Sequence, residues 1–191
     1  MQPLNFHRLV AAIKRILITG PESSGKSWMA QQLARHFRTE WVKEYARSYL
    51  SSLNRKYNQT DIIAICKGQT AAQEFTAQFS TNLLFCDTGP EVTKIWSEVK
   101  FANCPTEIES AFHAQVYDFT LLMYPDLKWE NDPLREMPEE EERMKLFERY
   151  ENLLKDNERI FTVIKGKSEE RMKMALRVLH QFNPHCFPNY S

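Results

Sequence analysis

The sequence has no excess of charge of either sign: among its 191 residues, 25 Lys and Arg balance 25 Asp and Glu. Without a basic surplus there is no electrostatic case for a nucleic-acid partner. No apolar run approaches the ~18 residues that cross a bilayer, so no membrane partner is expected. The opening stretch, Met1 to Lys14, has neither a continuous apolar core nor a small-residue cleavage site and does not read as a signal peptide. Its Leu9, Val10 and Ile13 fall at helical spacing and predict a short helix packed on the domain. Cysteine is sparse, and Cys66, Cys86, Cys104 and Cys186 show no C-x-x-C spacing. Reduced, buried thiols in a cytoplasmic protein are therefore expected rather than a metal site or disulfides. Repeats, low-complexity segments and interdomain linkers are also missing, so residues 1–191 read as one domain. An apolar content of 42% is near the globular average and gives enough material for a sizeable core.

The most informative stretch is Gly20-Pro21-Glu22-Ser23-Ser24-Gly25-Lys26-Ser27, which fills every fixed position of the phosphate-loop pattern G-x-x-x-x-G-K-[ST]. With average residue usage, a chance match in a chain this long is on the order of one per cent. Context lowers it further, because an apolar run, Ile16 to Thr19, precedes the loop and a helical pattern at Met29, Ala30, Leu33 and Phe37 follows. Backbone amides of such a loop converge on a phosphate at the positive end of the helix dipole. Lys26 reaches the outer phosphates and the Ser27 hydroxyl can ligate Mg²⁺. A nucleoside triphosphate, with ATP and Mg²⁺ as the pair, is the expected ligand.

Strand and helix patterns alternate along the chain, which predicts an α/β fold with about five parallel strands, doubly wound, of the P-loop nucleoside-kinase type. Helices are predicted over Lys26–Phe37, from Glu44 to about Leu53, Val92–Val99, Thr106–Gln115, Glu139 to about Lys155 and Ser168–Gln181. A further helix is predicted from a Thr60 cap, with Ile62, Ile65, Cys66, Ala72 and Phe79 along one face. After the first, predicted strands are Glu40–Lys43, Leu83–Cys86, Phe119–Met123 and Ile160–Ile164. Ligands of such sheets bind beyond the carboxyl ends of the strands. The phosphate loop, Glu44, Asp87, the segment Tyr124–Pro138 and Gly166 all fall on that edge.

Phosphoryl transfer needs positioning, a divalent cation and positive charge on the migrating group more than covalent chemistry. Asp87 is placed to hold Mg²⁺ or accept a proton; a turn cap is the other reading of it. Glu44 stands in the equivalent place on the second strand, either as the base for the acceptor hydroxyl or as a salt bridge to Arg47. The polar segment containing Lys128, Trp129, Asp132, Pro133 and Arg135, with Arg143 beyond it, reads as a lid over residues 124–143. Arg135 and Arg143 are spaced to place two guanidiniums over the transferring phosphate, or else lie in solvent. Trp129 either stacks on a base or pins the loop. Gln69 is either a satisfied core amide or a substrate contact. Lys165-Gly166-Lys167 sits where such folds hold adenine by backbone contacts.

This set of motifs resembles the ribosylnicotinamide kinase domain of the NadR type and its single-domain relatives. The resemblance runs from about Arg15 to His180. It is carried by the loop P-E-S-S-G-K-S, Glu44-Tyr45-Ala46-Arg47 with Tyr49, Gln69, Asp87-Thr88 with Thr93 and Trp96, Trp129 with Asp132, Arg135 and Arg143, and Gly166 with Arg171. It implies transfer of the ATP γ-phosphoryl group to the 5′-hydroxyl of nicotinamide riboside, a small-molecule nucleoside. On that resemblance Gly20 to Trp28 and Gly166 hold the nucleotide, and Ser27 and Asp87 the metal. Glu44, Tyr45, Arg47, Tyr49, Gln69, Asp87, Trp129 and Asp132 contact the acceptor. Lys26, Glu44, Asp87, Arg135 and Arg143 carry the chemistry.

Several positions depart from the family pattern. Gly89 replaces the second Asp of Asp-Thr-Asp, Lys43 replaces an aromatic residue before Glu44, Trp28 replaces a small residue, and Lys128 and Pro133 replace the lid's Pro and Gly. These bear on the acceptor pocket more than on the nucleotide loop. A kinase of another small hydroxyl substrate, or an ATP-binding regulatory module with little catalysis, therefore stands beside the first reading. None of His7, His36, His113, His180 or His185 follows a glycine, so the H-x-G-H pattern of adenylyl transfer is missing.

Overall fold

Period-two alternation inside continuous apolar runs builds the core. The computed structural model describes residues 13–80 and 82–187. Five strands, β1 (Lys14–Thr19), β2 (Glu40–Val42), β3 (Leu83–Asp87), β4 (Phe119–Met123) and β5 (Phe161–Ile164), form one sheet in the order β2-β3-β1-β4-β5. All four pairings are parallel. The helices are α1 (Lys26–Phe37), α2 (Tyr45–Ser51), α3 (Gln59–Ala77), α4 (Pro90–Phe101), α5 (Thr106–Ala114), α6 (Glu140–Asp156) and α7 (Ser168–Phe182).

Successive strand residues point to opposite faces, so each run feeds two cores. Ile16, Ile18, Phe85, Leu121 and Met123 turn toward Met29, Leu33, Ala175 and Leu179 on α1 and α7. Leu17, Leu84 and Cys86 turn the other way and pack with Ala77 of α3. On that same side Leu122 joins Ile95 of α4 and Phe147 of α6. Burial on both faces explains why these strands read as unbroken apolar runs rather than as alternating ones. The expected doubly wound architecture is the observed one.

Most predicted boundaries lie within a residue or two of the observed ones, and the exceptions have local causes. Thr60 is not the cap of α3. Asn58 accepts the Asp61 amide at 3.2 Å and Asp61 returns a bond to the Asn58 amide at 2.7 Å, a reciprocal capping box two residues earlier. Nor does Phe79 extend the buried stripe; α3 ends at Ala77 and Phe79 is 66% exposed, in edge contact with Phe75. The helix expected around Leu9 and Val10 lies outside the described residues, and Ile13 leads into β1 without helical structure. The cysteines are free, with Cys66 and Cys86 buried.

Two glycines shape the turn after β1. Gly20 has φ +135° and a Cβ there would fall 2.6 Å from the Met123 carbonyl oxygen on β4. Gly25 has φ +81° and caps α1. Both conformations are disfavoured for side-chain-bearing residues. A Gly20→Ala substitution is therefore expected to cost roughly 2–4 kcal/mol of unfolding free energy. Equilibrium urea denaturation of the two proteins measures it, and a loss under about 0.5 kcal/mol would contradict the close approach of this turn to β4.

Candidate active site

Parallel register brings the chemistry-bearing residues to one edge. Ile18 pairs with Asp87 and Thr19 with Leu122, so the phosphate loop leaves β1 beside the carboxyl end of β3 and opposite the end of β4. Within the loop, Ser24 Oγ donates to the Pro21 carbonyl at 2.7 Å and Lys26 Nζ to the same oxygen at 2.8 Å. Ser23 takes a left-handed conformation, φ 55°, of the kind that gathers successive amides into an anion nest. Glu22 looks outward instead: its Oε2 accepts the Glu136 and Met137 amides at 2.9 and 3.1 Å, tying loop to lid. Burial raises the Glu22 pKa, against the lowering effect of those two backbone bonds. Trp28 opens α1 with its ring 38% exposed.

Asp87 is 1% exposed and its Oδ1 has no hydrogen-bond partner among the described residues. Burial, and then the nearby Glu44 charge, push its carboxyl up to about 6, against the influence of Ser27 and Lys26. A buried carboxylate oxygen without a partner is costly, so its retention marks a group kept for a ligand. Ser23 Oγ and Arg143 Nε are buried without partners as well. Hard oxygen donors on Ser27 and Asp87, one of them orphaned, suit Mg²⁺. Glu44 precedes α2 as its cap residue, but its side chain makes no capping bond and stays available to the cleft. Arg47 pairs with Asp132 of the lid at 2.8 Å. The alternative of a Glu44–Arg47 salt bridge is thereby set aside.

Gln69 resolves as a satisfied buried amide with a positional task. Its Oε1 accepts the Tyr45 amide at 2.7 Å, while its Nε2 donates to the carbonyls of Asp87 and Thr88, each at 3.3 Å. One side chain thus spaces the Glu44 turn from the Asp87 turn. Glu44, Gln69, Thr88, Thr93 and Trp96 line a cleft between α2, α3 and α4. The Tyr45 ring lies against Gly68 on α3 rather than in this cleft. Tyr49 donates to Asp61 at 2.9 Å, and the same carboxylate takes two bonds from Arg55. Lys43 places its ammonium 5.9 Å from the Trp41 ring centroid, on the side of the sheet that carries α1.

The segment expected to form the lid connects β4 to α6 over residues 124–139, and Arg143 belongs to the first turn of α6 instead. Arg143 is 4% exposed, so the solvent reading does not apply to it. Its guanidinium stands 5.4 Å from the Trp129 ring centroid and that of Arg135 stands 5.9 Å away. Trp129 therefore gathers both cations by cation–π attraction. Across the edge, Gly166 donates its amide to Asp126 at 2.7 Å and gives its carbonyl to Arg171 at 2.7 Å. Both polar groups of its backbone make bonds within the protein, and its carbonyl keeps a second acceptor lone pair.

Sequence reasoning missed Asp126, Glu91 and the Tyr57–Glu136 pair. The Tyr57 hydroxyl lies 2.9 Å from Glu136 of the lid and accepts from Trp96 Nε1 at 3.1 Å. None of these stands in a recognisable local pattern; only three-dimensional proximity gives them meaning.

Comparison with known proteins bears on the family and the fold. A family described as AAA domain matches residues 15–171. The Trifunctional NAD biosynthesis/regulator protein NadR of Salmonella typhimurium is 24% identical over 159 residues, covering 80% of this chain and 38% of that protein. The chain thus spans well under half the length of that curated relative. A solved NadR protein in complex with NR superposes with TM-score 0.79 at 21% identity, over 94% of this chain and 54% of that one. Thymidylate kinase from Ehrlichia chaffeensis gives 0.63 at 15% identity, over 88% and 100%. The fold is that of P-loop nucleoside and nucleotide kinases, and the resemblance to NadR-type proteins stands.

Asp87 has a consequence for stability. Its carboxyl lies at about 6 in the folded chain against an ordinary value of 3.8, so the folded state binds the proton more tightly. Stability from this group is present below about pH 4 and lost as pH rises through 6. Asp87→Asn is expected to gain on the order of 3 kcal/mol at pH 8, a gain that shrinks below pH 6 and disappears near pH 4. Denaturation at three pH values checks it. An Asp87→Asn protein no more stable than the parent at pH 8 would show that the carboxylate is not desolvated.

Proposed function

The chain belongs to the AAA-domain family, and within it we propose an ATP-dependent kinase that phosphorylates the 5′-hydroxyl of nicotinamide riboside to give nicotinamide mononucleotide. The observation that carries this reading is Asp87: buried, with its Oδ1 lacking a partner among the described residues, in register with Ile18 two residues before the phosphate loop, and spaced from Glu44 by Gln69. NadR-type relatives, one of them solved with NR, support the choice of acceptor.

In this mechanism the loop amides and Lys26 receive the phosphates of ATP, and Lys26 gives up its bond to the Pro21 carbonyl as it does so. Ser27 and Asp87 would hold Mg²⁺, which supplies neutralising charge to the phosphate oxygens when bound. The riboside enters the cleft of Glu44, Gln69, Thr88, Thr93 and Trp96, where the indole offers an aromatic wall to the pyridine ring. The 5′-oxygen attacks the γ-phosphorus, its proton passes to Glu44 or Asp87, and ADP leaves with the electron pair of the broken phosphoanhydride bond. Arg135 and Arg143, gathered by Trp129, are placed to come over the transferring group and exclude water.

A second reading keeps the reaction and changes the acceptor. It is prompted by similarity to thymidylate kinase, whose likeness extends over the length of that chain. A module that binds nucleotide without turnover is a third reading, and it requires neither Glu44 nor Asp87.

Incubation with MgATP and a panel of nucleosides, read by ADP release and mononucleotide formation, separates these. Nicotinamide riboside is expected to exceed every other acceptor. Asp87→Ala is expected to bind MgATP within a few fold of the parent while turnover falls at least about 100-fold. Faster turnover of another nucleoside would move the assignment to the second reading; MgATP binding with no acceptor turned over would move it to the third.

A further inference from the structure

Behind the Asp87–Thr88–Gly89 turn lies a buried carboxylate that the proposed chemistry does not use. Glu91, the second residue of α4, is 2% exposed and its Oε1 accepts the Gly89 amide at 3.0 Å. A Cβ added to Gly89 would fall 2.6 Å from Glu91 Oε2 and would also meet the Tyr117 hydroxyl. The side-chain direction at residue 89 therefore runs into the interior and away from the acceptor cleft. Gly89 itself is extended, φ −150° and ψ −166°, a conformation open to any residue. Glycine is required here by occupied space, not by backbone angle.

Thr88 is the strained member of the turn, with φ +71° on a β-branched residue. Such a conformation costs about 1–3 kcal/mol and persists only where the surroundings over-determine it. Its amide donates to the Ile18 carbonyl at 3.0 Å, and its carbonyl accepts Gln73 Nε2 at 2.9 Å as well as Gln69. Gln73 is in turn fixed by Gln115 and the Tyr117 hydroxyl, both at 3.0 Å. These bonds anchor the turn up to Thr88; past it, the Glu91 bond to Gly89 is the next hold. Burial pushes the Glu91 carboxyl up to about 7, against the bond from the Gly89 amide and the charge of Lys26. Tyr117 of the α5–β4 connection, Tyr150 of α6 and Cys86 of β3 have their own ionisation opposed by this carboxylate.

We infer that Glu91 is a positioning residue: by holding the Gly89 amide it keeps Thr88 left-handed and Asp87 aimed at the phosphate loop. Without its acceptor oxygen the Gly89 N–H is left buried and unpaired, and the turn relaxes toward an ordinary conformation. The kinetic part of its test rests on the proposed kinase reading; the spectroscopic part does not.

The test compares Glu91→Leu, which removes the acceptor, with Glu91→Gln, which keeps an oxygen there. Glu91→Leu is expected to lose about tenfold or more in kcat on the best acceptor of the panel while MgATP affinity changes less than about twofold. Glu91→Gln is expected to stay within about threefold of the parent. In ¹⁵N–¹H spectra the Gly89 resonance should move in the Leu variant and hold its place in the Gln variant, whichever acceptor is used. Parental kcat in the Leu variant, equal losses in both variants, or an unmoved Gly89 resonance would each overturn the inference. Should Glu91→Leu not fold, Glu91→Met, which also lacks the acceptor oxygen, is expected to give the same kinetic loss and the same movement of the Gly89 resonance.

Discussion

A single buried guanidinium ties the edge of the sheet together. Arg171 of α7, 1% exposed, donates to the carbonyls of Ser24, Tyr124 and Gly166 and pairs with Asp126. Those four partners come from the phosphate loop, the start of the lid and the turn after β5. Carbonyls at strand ends have no ladder partner, so each needs a donor. A planar group with five donors satisfies several of them at once and sets their spacing. The curvature of the loop is coupled through this one residue to the place where the lid begins.

The other side of the edge is built on neutral amides. Gln69 and Gln73 saturate the carbonyls of a turn that sequence preference alone would not form. The two halves thus use different donors to satisfy the backbone carbonyls, while Asp87 Oδ1 stays without a partner among the described residues. Desolvating Asp87 and Glu91 destabilises the folded chain at neutral pH, and the surrounding packing offsets that cost. A site whose carboxylate already sits near neutrality is one whose charge can be tuned by whatever binds beside it.

The lid follows the same economy of anchoring. Glu22 holds its backbone from the loop, Asp132 is held by Arg47, and Glu136 is held by Tyr57 and Lys100. Glu22, Arg47 and Lys100 sit on the phosphate loop, α2 and α4, and Tyr57 directly precedes the cap residue of α3; α2, α3 and α4 line the cleft that holds Glu44.

Much of the fold was legible because burial on both faces of a parallel sheet leaves long apolar runs, and because Gly20 to Ser27 is a local pattern with a local physical cause. The ranges of α1 and β4 could be read off residue spacing for that reason. Thr60 and Phe79 were misread because capping and exposure depend on partners several residues away or on neighbouring elements. Arg143 read both as the far end of the lid and as part of the helix predicted from Glu139; it lies in the first turn of that helix, and its burial came from contacts with other segments. Linear order determined the strand sequence, the phosphate loop and the set of residues that reach the carboxyl edge of the sheet. Which of those residues pair, which stay unpartnered and which carboxylate is desolvated was decided only when Arg171, Gln69 and Glu91 met segments far from them in the chain, since hydrogen bonding and desolvation depend on distance in space.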